Sequence, residues 1–323
     1  MGPPLDRSRR FDWLGFALLS LSLGALQMML DRGQTLDWFA SPEVVAEAML
    51  AGLAFYMFIA HMFTHEHPFI EPGLFRDRNF SVGLLFIFVV GVVLLATLAL
   101  LPPFMQNLMG YPVVDVGFLM TPRGVGTMIA MMAVGRLSGR VDVRHTIALG
   151  LMLTSLSLWE MTRFNTDIGG WDIVRTGITQ GLGLGFLFVP LSTIAFSTLA
   201  PRYRNEGTAL FSLSRNIGSS IGISVVMTYL ARCAQGNHAA FADYINPSNL
   251  ALRQAVEAGA YNLTTPEGLV GLNAEVSRQA ATLAYLQDFR LMMWVTLAAL
   301  PLILLLRPPV RQKAASVVHA AMD

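Results

Sequence analysis

Apolar residues in this chain gather into eight long, nearly uninterrupted runs. They extend from Trp13 to Leu30, Val44 to Ala60, Phe80 to Leu101, Val116 to Gly135, Ile147 to Met161, Val174 to Ala200, Gly207 to Ala231 and Leu291 to Leu306. Crossing the hydrocarbon layer takes about 20 predominantly apolar residues in a helix, with roughly 17 as a practical floor. Most of the runs reach that length. The fifth and eighth are short and must stand with little tilt or recruit flanking residues. The pattern predicts an all-α polytopic membrane protein with eight transmembrane helices. Composition agrees, with 54% hydrophobic and only 13% charged residues, about half the charged share of a soluble domain.

The net charge of +1 carries no message about nucleic acid, but the placement of the cations does. Alternate termini and connections hold Arg7, Arg9, Arg10, Arg76, Arg78, Arg136, Arg140, Arg144, Arg202, Arg204, Arg307, Arg311 and Lys313. The opposite set holds Arg32, Arg163, Arg175, Arg232, Arg253, Arg278 and Arg290. The richer set is expected in the cytoplasm, which puts both termini there. An even number of spans requires the same. Arg7, Arg9 and Arg10 lead into the first run without a small-residue cleavage site, so no secretory signal is expected. Trp13, Trp38 and Trp171 flank span ends, as interfacial anchors do. Cys233 is the single cysteine, which excludes an intramolecular disulfide and a cysteine metal site.

About 57 residues, from Arg232 to Asp288, separate the last two runs on the outer side. A helical segment is expected to open after Asn246-Pro247-Ser248. A second helix start stands at Thr265-Pro266-Glu267, with a capping hydroxyl, proline at the first helical position and an acid in the first turn. Leu269, Leu272, Val276, Leu283 and Leu286 then recur at helical spacing, which suggests an amphipathic helix lying on the outer face of the bundle or offering a docking surface to a partner.

Polar groups within spanning helices are costly, so each is a functional candidate. Arg123 follows Thr121-Pro122 in the fourth run, Gln180 lies in the sixth, and Arg215 with Asn216 lies about two turns into the seventh. Glu160 and the arginines also fit a role at the interface, where long side chains snorkel. Gly181, Gly183 and Gly185 alternate ahead of Pro190, and Gly218 and Gly222 form a small-xxx-small pair. Such residues let helix backbones approach and bend. A phosphate loop is excluded because it must join a strand to a helix in water. His61, His65, Glu66 and His67 cluster at the end of the second run without a further ligand at supporting spacing. They read as a helix end at the interface, and neither a metal nor a cofactor is expected.

Several stretches resemble one family. They are Leu30-Asp31-Arg32-Gly33 with Asp37-Trp38-Phe39, and Leu74-Phe75-Arg76 with Arg78-Asn79-Phe80. A third is Gly135-Arg136 through Gly139-Arg140 to Asp142 and Arg144. The last are Gln180-Gly181 through Pro190-Leu191, and Arg215-Asn216-Ile217-Gly218 through Gly222. In this order they are similar to the major facilitator superfamily, specifically its 14-helix drug:proton antiporters of the EmrB/QacA type. The resemblance implies that residues 1–67 hold a cytoplasmic N-terminus and two linker helices. Residues 68–323 then form the C-terminal six-helix bundle, with a periplasmic loop at about 232–288. It implies a cytoplasmic gate motif in which Asp142 pairs with Arg136 or Arg140 while Gly135 and Gly139 allow close approach.

The first six helices of such a transporter, with the embedded acid associated with proton coupling, are expected in a half that this chain lacks. The expected function is therefore the C-terminal portion of a proton-coupled exporter of drugs or amphipathic compounds in the bacterial inner membrane. The lipid bilayer, small amphipathic substrates, protons, the missing N-terminal half and a periplasmic adaptor with an outer-membrane channel are the partners implied; nucleic acid is not. Gln180, Arg123, Arg215 and Asn216 are the expected path or gate residues. A non-transporting scaffold or one subunit of a split transporter is the alternative. An intramembrane enzyme is disfavoured, since no acid pair, nucleophile–base set or HExxH stands within the spans.

Overall fold

The computed structural model describes residues 11–66, 68–137, 140–246, 248–259 and 262–307. Gly139, His67, Pro247 and the outermost charged residues, including Arg7 and Lys313, lie outside them. Each apolar run forms a helix: α1 (Trp13–Gly33), α2 (Pro42–Thr64), α3 (Arg78–Pro103), α4 (Val113–Leu137), α5 (Val143–Met161), α6 (Gly170–Ser197) and α7 (Arg204–Ala242). A short α8 (Leu250–Glu257) follows, and the last run ends α9 (Pro266–Ala298). Among the described residues seven helices are long and apolar enough to cross a membrane. The fifth run forms α5, which has 19 residues and is not among those seven. Its hydroxyls Thr154, Ser155 and Ser157 are buried, and Ser157 donates to the Thr176 carbonyl of α6 at 2.8 Å.

Local chemistry sets the ends. Asp12, Asp77, Asp142 and Thr265 cap α1, α3, α5 and α9 by accepting a backbone N–H near the start of each helix. Pro102 and Pro103 remove two donors at the end of α3, and the chain widens there into a π-turn over Phe104–Leu108. Gly33 admits the ring of Trp38, which would lie 2.8 Å from a Cβ at that position. The turn carrying Trp38 is left-handed at Asp37 and Trp38.

Apart from the short α8, which begins at Leu250 just after the Asn246-Pro247-Ser248 signal, residues 232–288 form no separate helix among the described residues. α7 runs unbroken to Ala242, and α9 starts at the Thr265-Pro266 signal and continues to Ala298. Neither glycine nor proline interrupts α9 after Gly271, so nothing stops it before the membrane. At 39 residues α7 is about 58 Å long, roughly twice the hydrocarbon thickness. The two helices therefore project together beyond one end of the bundle, with α8 at their tip.

Two apolar cores stack along the bundle. One, nearer the arginine-rich end, joins Leu19, Phe58, Phe80, Ile87, Ile147, Leu191, Phe211 and Ile303. The other, nearer the projecting hairpin, joins Leu100, Phe104, Leu158, Ile173, Val226, Tyr285 and Phe289. At the arginine-rich end Asn79 closes the bundle by bonding both ways to the Arg307 backbone, at 2.8 and 3.1 Å.

Candidate functional site

Glycine determines how closely the central helices meet. On α6, Gly181 and Gly185 lie one turn apart and face α4, whereas Gly183 between them faces α5. A Cβ on Gly181 would collide with the Arg123 carbonyl oxygen, and one on Gly185 would lie 2.7 Å from the Thr127 carbonyl. On Gly183 it would strike Thr154. The partner helices answer with glycines of their own: Gly126 against the Ile178 carbonyl at 2.6 Å and Gly150 against the Gly183 carbonyl at 2.7 Å. On α7, Gly218 and Gly222 seat the Phe88 and Val92 backbone of α3 in the same way. With no hydrophobic effect to drive helices together in lipid, this backbone contact supplies much of the packing energy. Pro190 is buried within α6, and the Val189 carbonyl accepts hydroxyls of Ser192 and Thr193 at 2.9 Å each.

Polar groups lie along the same seams. Gln180 is 1% exposed; its Nε2 donates to Thr97 Oγ1 of α3 at 3.3 Å, and Thr97 donates to the Val93 carbonyl at 2.7 Å. Gln180 Oε1 accepts nothing from the described residues. Arg123 is 8% exposed, neither of its terminal nitrogens has a partner among the described residues, and its backbone packs beside Gly177 and Gly181. Gln180 and Arg123 thus adjoin one turn of α6.

The other two candidates lie elsewhere. Arg215 is half-buried, with its guanidinium 5.7 Å from the Phe188 ring. Asn216 is exposed and lines a cavity of about 270 Å³ between α1 and α7 with Gln27 and Ser220. Glu160 pairs with Arg175 of α6 at 3.6 Å.

The connection between α4 and α5 differs from the expected gate. Asp142 makes no ion pair with Arg136 or Arg140 among the described residues. Its carboxylate accepts the Arg144 N–H at 2.9 Å as the cap of α5, because a cap two residues from its donor forms locally while a pair across the turn must order two long side chains. Gly135 faces open space and brings no helix close. At the end of α2, His61 Nε2 lies 3.0 Å from Asp12 Oδ1. Asp12 also accepts the N–H groups of Gly15 and Phe69 at 2.9 Å each. Burial alone would raise the Asp12 pKa, but these hydrogen bonds and the neighbouring imidazole hold it below the ordinary carboxylate value.

One buried acid escaped the reading of the sequence. Asp288 of α9 is 0% exposed, and neither carboxylate oxygen has a partner among the described residues. A signal for it existed. The last apolar run, Leu291–Leu306, has 16 residues, and extending it outward to about 20 takes in Asp288.

Helices of this length and apolarity, joined by glycine seams, define a multi-pass membrane protein. The Major Facilitator Superfamily model matches residues 46–223, and the chain belongs to that superfamily of transporters. Its relatives include the fatty acid resistance protein FarB of Neisseria gonorrhoeae, 28% identical over 92% of this chain and 59% of that protein. The multidrug export protein EmrB of Escherichia coli strain K12 is 30% identical over 75% of this chain and 47% of its own length. The likeness to the multidrug-exporting branch is thereby borne out. The chain spans about half to three fifths of the length of these curated relatives. A bacterial homologue of the human lysosomal transporter Spinster, in an inward-facing occupied conformation, aligns with a TM-score of 0.48 at 16% identity, covering 90% of this chain and 65% of the other.

Proposed function

We propose that this chain forms the C-terminal portion of a proton-coupled exporter of amphipathic compounds in the bacterial inner membrane, working with an N-terminal half that completes the path. The observation that carries the reading is the 30% identity to a multidrug export protein across 75% of the chain. The chemistry beside α6 is in keeping with it. Among the described residues Gln180 has a carbonyl oxygen and Arg123 a guanidinium without a hydrogen-bond partner, set among apolar side chains and a few hydroxyls such as those of Thr97 and Thr176. An amphipath needs that combination, a large apolar surface with few polar contacts. Arg215 and Asn216 stand nearer the arginine-rich end as gate residues, and that end faces the cytoplasm with both termini. The projecting hairpin, with exposed Tyr244, Leu250 and Val270, is the surface for a periplasmic adaptor.

The test supplies a compatible N-terminal half in cells lacking their own exporters. Resistance should appear only with both halves and collapse with an uncoupler. Efflux by the chain alone, or none with both halves at normal expression, rejects the division of labour. In the same cells, with Cys233 replaced, an impermeant thiol reagent should label a cysteine at Ser248 and spare one at Ser316.

A further inference from the structure

An isolated carboxylate in an apolar interior costs several kcal/mol even after relaxation, and Asp288 is placed where little offsets that cost. Its helix face carries Tyr285, Phe289 and Met292, all within the apolar core nearer the hairpin. The Phe104 ring centroid lies 5.4 Å from that of Tyr285 and 6.3 Å from that of Phe289. Phe164 stacks on Phe104 at 6.2 Å and meets Phe289 edge-on at 6.4 Å. The groups able to answer a charge are few. α7 contributes Tyr229 and Cys233, one turn apart on that helix. On α9, Tyr285 adjoins it, while Arg290 is exposed and lines a separate groove with Trp159 and Gln287. The nearest acid of α5, Glu160, is turned to Arg175. α3 beyond Arg78, the Phe104–Leu108 turn and the Leu300–Leu305 segment carry no titratable side chain. A hard cation such as Ca²⁺ or Mg²⁺ needs about six oxygen ligands, and this aromatic shell does not supply them. A proton needs the carboxyl alone.

We propose that Asp288 is a proton-binding site of this bundle, occupied in the conformation seen and sealed by the Phe104, Phe164, Tyr285 and Phe289 rings. Release then requires α9 to shift against α7, admitting water or a cation. The site lies toward the hairpin end, and its use as a coupling proton rests on the export reading, whereas its occupancy does not.

Dicyclohexylcarbodiimide, a membrane-permeant reagent that modifies protonated carboxyls, tests it on the unaltered chain in native membranes, with peptide mass spectrometry as readout. Asp288 should be modified at neutral pH and be spared by a water-soluble carbodiimide. Its modification should fall by about tenfold per pH unit once the carboxyl ionises. Absent modification, or modification flat with pH, overturns the proposal. Asp288→Asn, which matches the protonated acid in shape, should fold normally and lose the infrared carbonyl band of a buried carboxylic acid; retention of that band also overturns it. No transport is needed for either readout. Modified Asp288 in a chain that exports nothing with any partner half keeps the site and removes the export reading; unmodified Asp288 in a working exporter does the reverse.

Discussion

α4 and the α1–α2 pair bury the same modest share of their apolar windows, 22% each, against 56% for α3 and α6. They are held in opposite ways. α4 lies along α6 through interlocked backbones, with Gly126, Gly181 and Gly185 removing the side chains that would keep the helices apart. α1 and α2 are tied by side chains at separate points, including Ser22, which donates to the Ala51 carbonyl at 3.0 Å midway along the pair. Asp12 gathers Gly15, His61 and Phe69 at one end, and Ser224 donates to the Leu30 carbonyl at 3.0 Å at the other. Gly24 and Gly52 face open space. Equal burial therefore conceals two kinds of attachment. A backbone seam fixes position along its whole length, while point ties hold only where they fall.

The largest effect should come from filling a seam. Gly181→Leu forces α4 away from α6 and should cost about 3 kcal/mol or more, read as loss of monodisperse protein after detergent extraction. Gly24→Leu on α1 should leave extraction unchanged; equal damage from both would erase the contrast. A smaller effect should follow Asp12→Ala, about 1–2 kcal/mol from the lost cap and pairing. The loss should appear as faster proteolysis near residue 66 with the bundle core intact. The sign of the pH dependence is fixed. The folded pKa lies below the ordinary value of 3.8, so the contribution is complete above that value. It disappears as pH falls through the lowered one, and the wild type should then match Asp12→Ala. The smallest change in stability belongs to Gln180→Leu, about 0.6 kcal/mol, typical of a hydrogen bond between membrane helices. In a complete transporter it should nonetheless alter the relative resistance to different compounds. An unchanged profile at normal expression removes Gln180 from the path.

Long apolar runs made the helices legible, and Thr265-Pro266-Glu267 marked the start of α9 to the residue. The alternating and small-xxx-small spacings marked Gly181, Gly183, Gly185, Gly218 and Gly222, all of which form seams, but spacing did not tell which other glycines do. Gly126 and Gly150 do and Gly135 does not, because that depends on the rotation of each helix about its axis. Asp142 carried an ambiguity of range, since the same carboxylate can cap its own helix or reach across a turn. Asp288 was hidden by the boundary drawn at the first charged residue outside an apolar run. Gln180 was legible as a polar group at depth, but its partner Thr97, 83 positions away, was not.

The unbroken passage of α7 and α9 out of the bundle has a mechanical side. A helix that emerges without a hinge behaves as a rod clamped at one end, so any tilt of its buried segment reappears at the tip multiplied by length. For the roughly 28 Å of α7 that extends past a hydrocarbon layer of about 30 Å, a rotation of about 5° at the base carries the far end roughly 2.5 Å. Small rearrangements around the Phe104 rings would thus be displayed outside the membrane at the scale of a side chain, and a load applied to the tip would act back on them with the same leverage.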